Sequence, residues 1–137
     1  MTVDNRTGVI LTLGDDMSNP KIDLAGNKRW CNAGGQLHRL DGPAVEWANG
    51  TKSWWVNGQC HRLAGPAYEV ANGDKVWLVS GKLHRLDGPA IEYAAGYKAW
   101  YLYGQHVTEA EHYAQTCVYQ FIMSTPVIDI VDSGDPI

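Results

Sequence analysis

Nowhere does this chain stay apolar for anything near the ~20 residues that carry a helix across a bilayer, and no basic flank followed by a long apolar core opens it. A membrane span and a secretory leader are therefore not expected, and the reading is a soluble protein of the cytoplasm. Basic runs are also missing: the 11 Lys and Arg are scattered and the net charge is −4. Nucleic-acid binding is disfavoured, because it rests on a concentrated cationic footprint. Cysteine is scarce, with Cys31, Cys60 and Cys117 an odd set lacking the close spacing of a zinc knuckle. Free, mostly buried thiols and no bound metal or other cofactor are expected. Phenylalanine occurs once, against 15 Gly, six Trp and seven Tyr, which points to tight turns and sheets held by aromatic cross-strand pairs.

What the sequence does have is a repeat. Gly35 to Asn57 reads GQLHRLDGPAVEWANGTKSWWVN, Gly58 to Ser80 reads GQCHRLAGPAYEVANGDKVWLVS, and Gly81 to Tyr103 reads GKLHRLDGPAIEYAAGYKAWYLY, a gapless period of 23. Upstream, Gly26, Lys28 and Trp30 repeat the spacing of Gly50, Lys52 and Trp54 at an offset of 24, so one extra residue is expected around Gly34 and Gly35. The 137 residues therefore divide, within a single domain, into an N-terminal strand and degenerate capping repeat (7–34), three repeats (35–103), a helix (108–123) and a tail strand (125–137).

Two turns per unit follow from residue type. Asn49-Gly50, Asn72-Gly73 and Ala95-Gly96 read as one hairpin turn, and Asn57-Gly58, Ser80-Gly81 and Tyr103-Gly104 as a second. Treating the first as a two-residue loop places Val45, Trp47, Lys52, Trp54 and Val56 on one face, with Tyr68, Val70, Trp77, Val79, Ile91, Tyr93, Trp100 and Leu102 in the later units. That face is the expected core, and Trp54, Trp77 and Trp100 are expected to be largely buried. Glu46, Glu69 and Glu92 form a column on the other face, beside a column of Trp55, Leu78 and Tyr101. The second turn would set His61 beside Trp54 and Arg62 on the glutamate face, with each Gly-Pro ending the short returning leg.

After the array the apolar period lengthens to about 3.6 residues, the period of a helix. Thr108 and Glu111 have capping-box spacing, and Ala110, Tyr113, Ala114, Cys117, Val118, Phe121 and Ile122 form an apolar stripe expected to cover the aromatic face of the sheet. Gly8 to Leu13 and Val127 to Val131 read as short terminal strands. The fold class is thus all-β repeat: a twisted antiparallel β-meander of consecutive hairpins, one C-terminal amphipathic α-helix and short terminal strands.

The unit, with its W-x-x-N-G-x-x-H-R-x-D-G-P-A core, resembles the MORN family of β-hairpin repeats, and the likeness runs from Gly26 to about Phe121. Within that family it is most similar to the H-R-x-D-G-P-A type found in proteins of tailed bacteriophages and large viruses. Typical MORN units carry His-Gly and Gly-rich turns where this chain has His-Arg and Asp-Gly-Pro, so membrane association is not carried over. The resemblance implies a MORN-like fold and supplies no reaction.

The sharpest constellation is the paired columns His38, His61, His84 and Arg39, Arg62, Arg85. As a binding site, with Trp55 and Tyr101 flanking, the three guanidiniums would form a track for phosphate or carboxylate. As architecture, each Arg answers Glu46, Glu69, Glu92 or the turn aspartates Asp41 and Asp87, and each His is a satisfied interior residue. Ala64 stands where the other units have Asp41 and Asp87, so Arg62 has one carboxylate fewer. No catalytic set is recognisable. Ser53 and Ser80 are not equivalent, the glycines fit no phosphate loop, and nothing distinguishes an acid from a base in Glu46 and Glu69. Cys60 and His61 are adjacent on a strand and point to opposite faces, which one metal could not easily take.

These observations imply a non-catalytic binding protein. With the viral resemblance, it reads as a phage accessory or counter-defence factor that acts in the host cytoplasm, binding and sequestering or masking a host protein or a small anionic ligand such as a signalling nucleotide. The rival readings are an assembly module that forms homo-oligomers through a sheet edge or the tail strand, and, third, a hydrolase.

Overall fold

A computed structural model describes residues 19–124. The strands are β1 (Lys21–Ile22), β2 (Lys28–Arg29), β3 (Val45–Glu46), β4 (Lys52–Ser53), β5 (Trp55–Val56), β6 (Gln59–Cys60), β7 (Tyr68–Glu69), β8 (Lys75–Val76), β9 (Leu78–Val79), β10 (Lys82–Leu83), β11 (Ile91–Glu92), β12 (Lys98–Leu102) and β13 (Gln105–Val107), followed by helix α1 (Glu109–Ser124). The expected all-β repeat with one C-terminal helix is what is found. The terminal strands expected over Gly8 to Leu13 and Val127 to Val131 lie outside the described residues.

The meander is not one uninterrupted sheet. A nine-stranded antiparallel sheet runs β13-β12-β11-β8-β7-β4-β3-β2-β1, and two ribbons, β5-β6 and β9-β10, stand apart from it. In the first two repeats the outgoing strand breaks at Trp54 and Trp77, so its second half enters a ribbon. In the third, β12 passes unbroken from the sheet into the last hairpin.

The two turns differ in kind. Val56 faces Gln59 across Asn57 and Gly58, a two-residue loop with φ of 48° and 81°, the paired positive φ of a type I′ turn. Ser80 and Tyr103 hold the same left-handed conformation at φ 51° and 50°. The first turn has three residues instead of two: Trp47 and Thr51 close the loop, with Gly50 at φ 96° supplying the left-handed residue of a bulged hairpin.

That extra residue slips the register by one and redraws the faces. Val45 pairs with Ser53 and Glu46 with Lys52. Lys28, Glu46, Lys52, Glu69, Lys75, Glu92 and Lys98 therefore form one row of alternating charge across the sheet. Such opposed pairs contribute roughly 0.2–1 kcal/mol each. Lys52 is accordingly exposed rather than on the core face, and Trp54, Trp77 and Trp100 are half-buried rather than buried.

The interior is built instead from small residues. Ala44, Ala67, Ala90 and Ser53 are fully buried, with Val45, Thr51, Ala99, Leu102 and Trp30 close behind. The buried Ser53 hydroxyl accepts a 2.7 Å hydrogen bond from the Trp55 indole N–H. In the units where Leu78 and Tyr101 replace Trp55, Val76 and Ala99 replace Ser53: without the indole donor, no polar acceptor is kept there. The extra residue of the capping repeat also has its place, in the three-residue loop Ala33-Gly34-Gly35 closed by Asn32 and Gln36.

Helix α1 starts at the capping box: the Glu111 amide donates to Thr108 Oγ1 at 3.0 Å, and the Thr108 amide to Glu111 Oε1 at 3.1 Å. Its orientation departs from the expected one. The helix sits against β12, with His112 and Thr116 buried. Ala110, Tyr113, Ala114 and Cys117, the first four residues of the apolar stripe, face solvent. Position and spacing decide this: His112 Nε2 donates to the Arg85 carbonyl, and Thr116 Oγ1 satisfies itself on the His112 carbonyl at 2.9 Å, so both polar groups are buried with partners. The thiols also differ from expectation, since only Cys60 is buried and Cys117 is exposed.

Candidate functional site

The His and Arg columns come together at the seams between repeats. Each His reaches forward into the next two-residue turn. His38 Nδ1 accepts from the Asn57 amide at 2.9 Å, His61 Nδ1 from Ser80 at 2.8 Å, and His84 Nδ1 from Tyr103 at 2.9 Å. The bond falls each time on the non-glycine residue with positive φ, a conformation costly for an L residue. Tyr103 stacks over His84 as well, with ring centroids 4.0 Å apart. Burial holds the His84 pKa below the ordinary imidazole value, and the neighbouring His112 adds to the effect.

Each Arg reaches backward onto an indole. Arg39 lies 3.9 Å above Trp30, Arg62 3.8 Å above Trp54, and Arg85 3.7 Å above Trp77. The guanidinium then meets its own unit. Arg85 Nη1 donates to the Pro89 carbonyl at 3.1 Å and to Glu92 at 2.8 Å, while its Nε donates to Asp87 at 2.9 Å. Arg39 makes the same set with Pro43, Asp41 and, at 3.6 Å, Glu46. Arg62 has Pro66 and Glu69 but no aspartate, because Ala64 stands in its place.

The glycine of each Gly-Pro is fixed by this clamp. A Cβ on Gly42, Gly65 or Gly88 would lie 3.0, 3.2 or 2.9 Å from the arginine Cζ. These glycines serve close approach, not positive φ. The motif thus resolves into parts: His sets the next turn, Arg locks onto the preceding indole, Asp and the Pro carbonyl hold the guanidinium, Gly admits it, and Ala takes a fully buried site.

Trp55 and Tyr101, expected to flank the arginines, take other roles. Trp55 bonds Ser53, and Tyr101 meets His106 edge-on at 5.2 Å. Their backbone carbonyls accept from the Arg39 and Arg85 amides. The aromatic partners of the arginines are Trp30, Trp54 and Trp77, of which sequence reasoning assigned Trp54 and Trp77 to the core and read Trp30 only as part of the repeat spacing. A signal was present, because Arg follows its Trp by eight residues in two units and by nine where the loop carries the extra residue.

Two clefts open along this seam. One of about 570 Å³ lies between the second and third units, bordered by Arg62, Ala64, Trp77, His84, Asp87 and Tyr103. The other, about 450 Å³, lies between the third unit and α1, against Trp100. Among the described residues no cluster of His, Cys, Asp and Glu has a metal-holding arrangement, and no helix is long and apolar enough to cross a membrane. Burial pushes the Cys60 thiol up to about 11, far from a reactive thiolate. Compared with known protein families, with curated proteins and with solved structures, the chain finds no match.

Proposed function

We propose that this chain is a non-catalytic binding protein whose target is a protein surface: a viral accessory or counter-defence factor of MORN-like type that masks a host protein. One observation carries the choice of target. The cations of the His and Arg columns are occupied within the array, while apolar groups stand out from it. Leu40 and Leu63, the variable position of H-R-x-D in the first two units, are 77% and 80% exposed. Leu86, their equivalent in the third unit, is half-buried and shares a cleft with α1. Leucines exposed at one repeated position of the unit, and covered where a helix lies beside them, suit an interface whose core is apolar. The test is site-specific photocrosslinking from position 63 in host cells: one protein should be trapped, and Leu63→Glu placed beside an intact crosslinker at position 40 should abolish capture. Equal capture with and without Leu63→Glu would contradict the reading.

A second reading has its own support. Arg62, lacking an aspartate, borders the 570 Å³ cleft beside Trp77, and a nucleotide could be sequestered there. Calorimetry with linear and cyclic nucleotides decides between the two. Binding that falls with rising salt and is lost in Arg62→Ala would favour the nucleotide and displace the protein target.

A further inference from the structure

The seam repeats one arrangement three times and then breaks it. At Trp30, Trp54 and Trp77 the chain lays its own guanidinium on the indole. One period on, the indole is Trp100 and the residue in the arginine's place is Thr108, whose hydroxyl caps α1 instead. Leu86, Asp87 and Gly88 border the cleft at Trp100 as Leu63, Ala64 and Gly65 border the one at Trp77. It is the same groove, one unit further along, with α1 where a fourth repeat would stand.

We propose that this groove is a receptor for a guanidinium, carried on an arginine side chain of the partner protein. The inference rests on the reading of the chain as a protein-binding module and names the chemistry of its partner. Shape comes from the indole of Trp100, with the exposed ring of Tyr113 also on the cleft. Charge comes from Asp87 and Glu109, both on its border. Asp87 meets Arg85 through Oδ1 only, and Oδ2 has no bond to any described residue. From residue 99 to the end the chain contains neither Lys nor Arg. A planar guanidinium suits an indole face better than a compact, strongly hydrated ammonium does.

The experiment follows the indole N–H resonance of Trp100 in the full chain while N-acetyl-Gly-Arg-Gly-amide is added. Saturation with a Kd on the order of 1 mM is expected for one such contact. The lysine peptide should bind at least about 10-fold more weakly, because a compact, hydrated ammonium cannot stack on the indole while forking to a carboxylate. Glu109→Gln, which keeps the Thr108 and Glu111 capping box, should weaken the arginine peptide severalfold without altering the other indole resonances. An unmoved Trp100 resonance, equal binding of the lysine peptide, or an unchanged Glu109→Gln variant would each overturn the proposal. So would a shift of the Trp100 resonance on Arg6→Ala in the absence of peptide, which would make the occupant part of the chain itself. Should photocrosslinking at position 63 still trap a partner while the arginine peptide leaves Trp100 untouched, this inference alone fails. If the peptide binds and no protein is trapped, the Leu40 and Leu63 surface is what falls.

Discussion

Trp77 and Trp100 occupy equivalent positions in consecutive units, yet one is roofed by an arginine of its own chain and the other looks into a cleft. The difference separates what the repeat needs for itself from what its end leaves available. Inside the array the His and Arg of each motif are engaged by the next and the preceding unit, as expected where stability comes from nearest-neighbour interfaces, and the carboxylates by the arginine of their own unit. At the C-terminal end no following unit exists to consume anything. Helix α1 closes the array through His112 and Thr116, and it leaves the Trp100 indole without an arginine, beside Glu109 and the second oxygen of Asp87, with Ala110, Tyr113, Ala114 and Cys117 exposed.

The sharpest way to break this comparison is to crowd the clamp. Gly88→Ala places a methyl group 2.9 Å from the Arg85 Cζ. It should destabilise the protein by about 1–3 kcal/mol, the usual cost of overpacking. In an Arg85→Ala background the same substitution should cost little, since its φ is permissive and the obstructing group is gone. Urea titrations of the four proteins give the answer, and an undiminished penalty without the guanidinium would show that the glycine serves the backbone instead.

Acid should loosen the same seam. The folded state holds the His84 pKa below its unfolded value of 6.5, so unfolded chains bind more protons as pH falls below that value. Stability is therefore fully present above about pH 6.5 and declines as pH drops toward the lower folded pKa. The mechanism is local: a protonated Nδ1 cannot accept the Tyr103 amide. Urea midpoints between pH 7 and pH 5 should fall in the parent and fall less in His84→Asn. A flat profile for both proteins would contradict the role given to this imidazole.

The smallest expected effect concerns the turns. Ser80 sits at φ 51°, where asparagine is tolerated better than serine, and the first unit already has Asn57 there. Ser80→Asn should stabilise by roughly 0.5 kcal/mol, within the range of backbone-compatible turn substitutions. A thermal melt measures it, and a loss of stability would mean that the hydroxyl has a role beyond the turn.

Much of this architecture was legible in residue order, and the misreadings have specific causes. The period and the Asn57-Gly58 turn were readable because few residues tolerate two successive positive φ values. Thr108 and Glu111 announced the helix start for an equally local reason. Asn49-Gly50 misled because the dipeptide serves a two-residue loop and a three-residue bulged loop alike, and one residue of difference moves every side chain to the other face. The helix face was misread because periodicity counts Tyr113 and Cys117 as inward. It cannot see that the Arg85 carbonyl waits for a donor from His112, a tertiary contact across 27 residues. At the site, the acidic partners of the arginines followed from charge, whereas the indoles beneath them depend on the register that had slipped.

The account turns on the claim that Arg and Trp of successive units hold each other, and a double-mutant cycle on Trp77 and Arg85 measures that directly. A coupling of about 0.5–2 kcal/mol is predicted, as for a partly desolvated cation over an indole. Strictly additive losses from Trp77→Leu and Arg85→Met would contradict it, and the His-Arg columns would again be free to serve a ligand.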